Sequence, residues 1–330
     1  MKRLDLEKAF ADAMKSLARR ADLKTYVERT PAVYQLLQRA AAKYVAGDHR
    51  EAGLESAQRL LDKGYQVSIE YIGENKSDRA SCQAARLEMR RLIQELIDRG
   101  MKSRISFDLS HIGLSVDSQL ASSELVALAE QASTADIELF ISMEESAKTE
   151  SILSIYEQTA ALYPTIGITL QAQLNSTSDY LNNWTANRAI HGEHCARRLR
   201  LVKGAYQELQ HVAIPRSDAL NERYLQLLDE AIHKGHRVSV ATHDETIINE
   251  VIKRGWAHKP GVEFEMLYGI RPDLGSSLKA AGFPVRIYLT YGHEWYLYLC
   301  HRIAEYPPNI YQAIIDISND RAVDSAASYE

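Results

Sequence analysis

Cysteine is scarce. Only Cys82, Cys195 and Cys300 occur in 330 residues, far apart and without paired spacing. Disulfide frameworks and zinc knuckles need close, repeated cysteine spacings, so neither is expected, and a reducing compartment fits. No apolar run reaches the ~18 residues that span a bilayer. The opening stretch MKRLDLEKAFADAMKSLARR also lacks the apolar core of a secretory signal, so the expected location is the cytoplasm. Positive charge is not in excess: 39 Lys and Arg face 44 Asp and Glu, a formal net charge of −5. That argues against nucleic acid or an acidic membrane surface as the main partner. No G-x-G-x-x-G occurs either, and with it goes the Gly-rich first turn that a doubly wound dinucleotide-binding sheet advertises.

What is present is a regular alternation. Residues 1–60 read as helices, with Leu6, Phe10, Met14 and Leu17 at helical spacing on one face. From residue 61 to 330, short β-branched or apolar runs alternate with amphipathic segments: YQVSIEYIG, SRISFDLSHIG, DIELFISMEE, IGITLQAQL, RLRLVKGAY, RVSVATHD, VEFEMLYG and VRIYLTYG. Strands that alternate with helices build right-handed βαβ units and a parallel sheet, and eight units close into a (β/α)8 barrel. Chemistry in such barrels sits at the C-terminal ends of the strands. That rule selects Glu70, Asp108, Ser142 with Glu144, Gln171, Lys203, Thr242 with His243, Leu267 and Tyr288. A polar lid over the barrel core explains some of them. The whole set is costly to converge without a ligand.

Three further motifs carry less. HGEHC (His191, His194, Cys195) has ligand-type residues in a polar loop with no matching second pair, and no metal is expected there. ERYLQLLDEAIHK reads as a solvated outer helix, and YGHEWYLYL as a half-buried helix face or an aromatic box.

The segments RLVKGAY, VATHD, EFEMLYG and RIYLTYGHEWYLYLCHRIAEYPPN, with IEYIGE in the first strand and LQAQL in the fourth, resemble the proline dehydrogenase family, most nearly its bacterial single-function form. The resemblance runs from about residue 60 to 310. It implies a distorted (β/α)8 barrel with its last helix packed over the mouth, and a non-covalent FAD across that mouth that takes hydride at N5. It also implies a quinone as electron acceptor, with a seat either in the cytoplasm or peripheral to the inner membrane. Carried onto this sequence, the flavin side comprises Gln171, Arg200 near N5, Lys203, Gly204, Thr242, His243 and Glu305. The resemblance makes Arg200, Lys203 and Tyr288 the residues of the reaction itself. Cations held in a dry site favour the reduced flavin, and Arg200 with Lys203 is expected to supply them from one strand-end turn.

The substrate side departs from the pattern. Where the family has a lysine at the end of strand two, this chain has Asp108. Where it has an aspartate at the end of strand three, this chain has Ser142. Where it has two adjacent arginines on the last helix, this chain has His301 and Arg302. Leu267 and Tyr288 keep the family's ring-walling residues. Charge-assisted hydrogen bonds are worth roughly 1.5–3 kcal/mol each, so losing two weakens a grip on the proline carboxylate by on the order of a hundredfold or more. Arg302 is expected to pair with Asp108 instead. The changes touch one face only. The expectation is therefore a flavin dehydrogenase acting on a proline-like cyclic or secondary amine whose carboxylate is missing, modified or replaced. The competing readings are an L-proline or hydroxyproline dehydrogenase, a flavin-binding homologue without turnover, and a flavin-free aldolase-type barrel with Lys203 as Schiff-base former.

Overall fold

The computed structural model describes residues 3–73, 75–186, 196–305, 309–318 and 325–330. His191, His194 and Cys195 lie outside them. Eight parallel strands follow one another in chain order and close into a barrel: β1 (Gln66–Tyr71), β2 (Arg104–Phe107), β3 (Glu138–Ile141), β4 (Ile166–Gln171), β5 (Arg198–Val202), β6 (Arg237–Ala241), β7 (Val262–Leu267) and β8 (Val285–Tyr291). Closure pairs Gln66 through Tyr71 with Arg286 through Tyr291 in parallel register. All eight strands read from the sequence are in place.

Four helices precede the barrel: α1 (Arg3–Ala18), α2 (Ala21–Arg29), α3 (Pro31–Ala41) and α4 (Arg50–Asp62). The first three do not share the barrel core. Tyr34, Leu37, Ala40, Ala41 and Tyr44 pack with Trp295, Leu299 and Ile303 in a second cluster. Of the four residues expected on one face of the first helix, Phe10 and Met14 join this cluster, whereas Leu6 and Leu17 are exposed. The fourth helix behaves differently: its Leu54, Ala57 and Leu60 belong to the main core, and it packs against the outer face of β1 and β8. Between strands come α5 (Arg79–Asp98), α6 (Ser118–Ser133), α7 (Thr149–Ala160), α8 (Thr177–Ala186), α9 (Asp218–His233), α10 (Glu245–Lys253) and α11 (Pro272–Ala280). Four of their starts carry side-chain caps: Asp78 accepts the Ser81 amide, Asp117 that of Gln119, Ser217 that of Leu220 and Asp244 that of Thr246. After β8 the chain makes α12 (Trp295–Glu305), which packs on the first and third helices, and then α13 (Asn309–Ser318). With the outer face of β8 already covered by α4, α12 is released to lie over the mouth.

Residues 325–330 return to the barrel wall beside α4 and α11. Tyr329 is buried and its hydroxyl accepts the Gly269 amide at 2.9 Å. The Glu330 carbonyl accepts the Tyr65 hydroxyl at 2.8 Å, and the Glu330 amide donates to Ser276.

The barrel interior departs from the branched aliphatic filling usual in this architecture. The apolar residues face outward, under the helices: Val67, Ile69, Ile105, Leu139, Ile168, Leu199, Leu201, Val238, Val240, Phe264, Ile287 and Leu289 are all in the main core. Inward face polar and charged groups. In the lower layer Arg104 reaches Glu138 (2.9 Å) and Glu263 (3.0 Å), Arg286 reaches Glu263 (2.9 Å), and Arg198 pairs with Glu138. Glu265 joins the layers, accepting from Ser68 (2.7 Å) and Arg104 (3.2 Å) below and from Arg200 above. Phe140 is the large apolar exception, and it fits because β4 carries Gly167 opposite it. A Cβ on Gly167 would lie 2.3 Å from the Phe140 ring. The polar lid over the barrel core that explains some of the strand-end residues is the top of a polar interior that continues below it. A buried charge persists only when paired and hydrogen-bonded, and this column meets that condition for its full depth.

Candidate active site

The strand ends bring the sequence-selected residues to one mouth, in two arcs. The first spans β4 to β6. Gln171, the last residue of β4, is buried; its Nε2 donates to the Glu144 carbonyl at 2.8 Å and its Oε1 accepts from Gln173 at 3.0 Å. One residue beyond β5, Lys203 pairs with Asp244, the same carboxylate that caps α10. Gly204 follows at φ +115°, where a Cβ would collide with the Gln173 side chain at 2.3 Å. Its carbonyl accepts from Arg216 at 2.8 Å. A non-glycine residue would spoil this turn on both counts. On the next strand end the Thr242 hydroxyl accepts the Asp244 amide at 3.1 Å, and His243 Nε2 accepts the Leu267 amide at 3.1 Å. The acceptor role places the His243 proton on Nδ1. Burial and the nearby Arg302 and Arg271 push its pKa down to about 3, so the ring is neutral at pH 7.

Arg200 is not in the strand-end turn with Lys203. It sits two residues inside β5 and points into the barrel, where its Nε and Nη2 fork onto Glu265 at 2.8 and 2.7 Å. Nη2 also donates to Ser106 at 2.8 Å, and the guanidinium lies 4.6 Å from the centre of the Tyr288 ring. Arg200 and Lys203 thus do not share one strand-end turn, and each faces a carboxylate, Glu265 and Asp244 respectively.

The second arc runs from β8 through β1, β2 and β3, with α12 above it. The Tyr288 hydroxyl donates to Glu70 at 2.8 Å. Burial first, then the fields of Glu70 and Asp108, raise the Tyr288 pKa far above its usual value, so the phenol stays protonated. Asp108 and Ser142 stand at the ends of β2 and β3, both half-buried, and Leu267 closes β7. On α12 the Arg302 guanidinium is buried. Its Nη1 lies 2.8 Å from Glu305 one turn along, off the hydrogen-bond line, and among the described residues neither Nε nor Nη1 has a hydrogen-bond partner. The carboxylate beside Arg302 is therefore Glu305, where Asp108 was expected. Glu305 itself faces Arg302 at the rim. His301 is pushed down to about 4 by burial and by Arg302, Lys15 and Arg19, and is neutral at pH 7.

Sequence reasoning missed Glu265, Asp244 and the role of Glu70. The signal for the first was present, since R-L-R in β5 and E-F-E in β7 put charges at i and i+2 on the inward face.

The comparisons agree with the geometry. A family model described as proline dehydrogenase matches residues 53–307. Proline dehydrogenase 1 of Bacillus subtilis is 31% identical over 272 residues, covering 82% of this chain and 87% of the relative. The Deinococcus radiodurans proline dehydrogenase is 32% identical over 297 residues, covering 86% and 93%. Among solved structures, proline utilization A of Bdellovibrio bacteriovorus superposes with a TM-score of 0.77 at 15% identity, covering 99% of this chain and 39% of that much longer one. That last likeness concerns the fold.

Proposed function

Because this chain belongs to the proline dehydrogenase family, we propose that it is an FAD-dependent dehydrogenase of proline-like cyclic or secondary amines, with its substrate choice moved away from free L-proline. The residues present fit a flavin. Gln171, Lys203, Gly204, Thr242 and His243 form one continuous rim of fixed donors and close backbone at the ends of β4 to β6, with Arg200 beneath it. Bound there, FAD would supply the hydride acceptor, with a quinone as its eventual oxidant. Lys203 and Gln171 would hold it, and Arg200 would contribute positive charge from the layer below. Leu267 and Tyr288 would wall the amine ring, and Tyr288, locked in its protonated form, would keep water away from the reacting carbon.

The observation that carries the substrate reading is the charge at the second arc. Two acids, Glu70 and Asp108, act on the Tyr288 phenol from β1 and β2, against Arg200, which is already forked onto Glu265, and Arg302 on α12. An acidic rim of this kind favours a substrate that carries a donor or a cation there. The alternative, L-proline itself, is supported by the relatives and by Arg302, whose buried and un-hydrogen-bonded Nε and Nη1 suit a carboxylate. Purified protein should be yellow and release FAD on denaturation. Anaerobic mixing with L-proline, hydroxyproline, proline amide and cyclic amines without a carboxylate should bleach the flavin, with the best reductant identifying the substrate class. Colourless protein that fails to take up added FAD would sink the flavin reading.

A further inference from the structure

The charged barrel interior bears on the cofactor site through one carboxylate. Glu265 is buried, sits two residues below the end of β7, and receives four hydrogen bonds, from Ser68 at 2.7 Å, Arg104 at 3.2 Å and the Arg200 fork, with the Coulombic pull of Arg286 added from below. Arg200, Arg104 and Arg286 all hold this carboxyl below its ordinary range against the opposing effect of burial, so it is an anion at every working pH. Arg200 has its Nε and Nη2 committed to it, and its remaining faces are taken by Ser106, Thr169 and the Tyr288 ring. The guanidinium can neither rotate nor act as an uncompensated charge.

We propose that Glu265 is the residue that sets the reduction potential of the flavin, by fixing the Arg200 guanidinium inside the barrel and offsetting its charge. This rests on the flavin reading given above. Reduction places negative charge on the ring system, and a cation in a dry site stabilises that charge in proportion to how little of its field is cancelled locally. In this barrel Glu265 cancels much of the field of Arg200, so a flavin at the rim would meet a damped charge where it would otherwise meet a free cation. Glu265 touches no reacting atom; it is a positioning residue.

The barrel supplies its own control. Glu263 belongs to the same network one layer down, pairs with Arg104 and Arg286, and makes no contact with Arg200 among the described residues. Glu265→Gln and Glu263→Gln each delete one buried carboxylate from the same column and carry comparable structural damage. Spectroelectrochemical titration of the FAD-loaded proteins should show a more positive midpoint potential in Glu265→Gln and an unmoved one in Glu263→Gln. Equal shifts in both, or none in a fully loaded Glu265→Gln protein, would overturn the proposal. If Glu265→Gln does not fold, Glu265→Asp keeps the charge but shortens the fork; it should lose FAD affinity several-fold with a smaller change in potential. No change in either quantity would equally overturn it. A wild type that binds no FAD is a different result, since it removes the flavin reading before Glu265 is tested.

Discussion

The two arcs of the mouth differ in how far the protein satisfies itself. On the β4–β6 arc, Gln171, Lys203, Thr242 and His243 each have a partner in the chain. Over the other arc hangs Arg302, buried beside Glu305 with two nitrogens unpaired among the described residues. A satisfied arc is rigid before anything binds, which suits a resident cofactor whose orientation must not vary. A buried, under-satisfied cation is a standing cost, and the natural relief is a transient anion. The difference separates a permanent guest from a passing one.

The largest effect should come from removing that cation. Arg302→Met keeps the volume, deletes a buried charge whose Nε and Nη1 have no hydrogen-bond partner among the described residues, and leaves Glu305 at the rim, where it is 34% exposed and can be solvated. Two lost charge-assisted hydrogen bonds amount to about 3–6 kcal/mol, so KM for any turned-over substrate that carries a carboxylate, L-proline included, should rise at least ~100-fold. Thermal stability should be unchanged or higher. A protein that loses stability while KM stays put would show that Arg302 is already satisfied.

Lys203→Ala attacks the satisfied arc. It leaves Asp244 without its cation but still capping α10 through Thr246, so the helix should survive and flavin retention should fall roughly tenfold or more. Lys203→Arg should be milder. The flavin-to-protein absorbance ratio after gel filtration reads both, and full retention in the alanine variant would end the assignment.

A smaller, several-fold rise in kcat/KM for L-proline should follow from Asp108→Lys, Ser142→Asp and His301→Arg made together. Each alone adds or removes a charge without its counterpart and should be neutral or harmful. Fast bleaching of the wild-type flavin by L-proline in anaerobic stopped flow would remove the case for shifted specificity.

The smallest effect is on stability against pH, and it samples both arcs. His243 and His301 are pushed down to about 3 and about 4, and His111, stacked on Tyr71, to about 4, all chiefly by burial. Each binds a proton more readily unfolded than folded. Unfolding is therefore favoured as pH falls from about 6.5 through about 4, and the contribution is complete only above 6.5. The slope is at most about 1.4 kcal/mol per pH unit for one such group, less for the half-buried pair. Urea midpoints should decline across that window, and His111→Gln should flatten the decline.

The strand count and the position of the mouth were legible because both follow from local pattern: apolar runs of strand length, helices between them, and polar residues where each run stops. The pairings were not. Arg200 with Glu265, Lys203 with Asp244 and Tyr288 with Glu70 join residues 65, 41 and 218 positions apart, and nothing in either partner's neighbourhood encodes the other. Parallel barrel strands buried on both faces usually read as continuous apolar runs. Here R-L-R, E-F-E and V-S-I-E alternate, and that alternation marked a polar interior that was read as a polar rim. Tyr329 carried no signal at all, since its partners are backbone atoms of the β7 exit and a tyrosine near residue 65.

The charged interior also shapes how the chain reaches this state. The last pairing to close, β1 with β8, joins residues some 220 positions apart, and a contact that distant forms late. Until it forms, the growing sheet has two raw edges, each able to recruit a strand from another molecule. Those edges carry Gln66, Ser68 and Glu70 on one side and Arg286 and Tyr288 on the other. Intermolecular pairing would have to stack these groups against like neighbours in a dry sheet, whereas correct closure gives Arg286 to Glu263, Gln66 and the Val67 carbonyl. The polar column that holds the finished barrel together thereby guards the half-built one against aggregation.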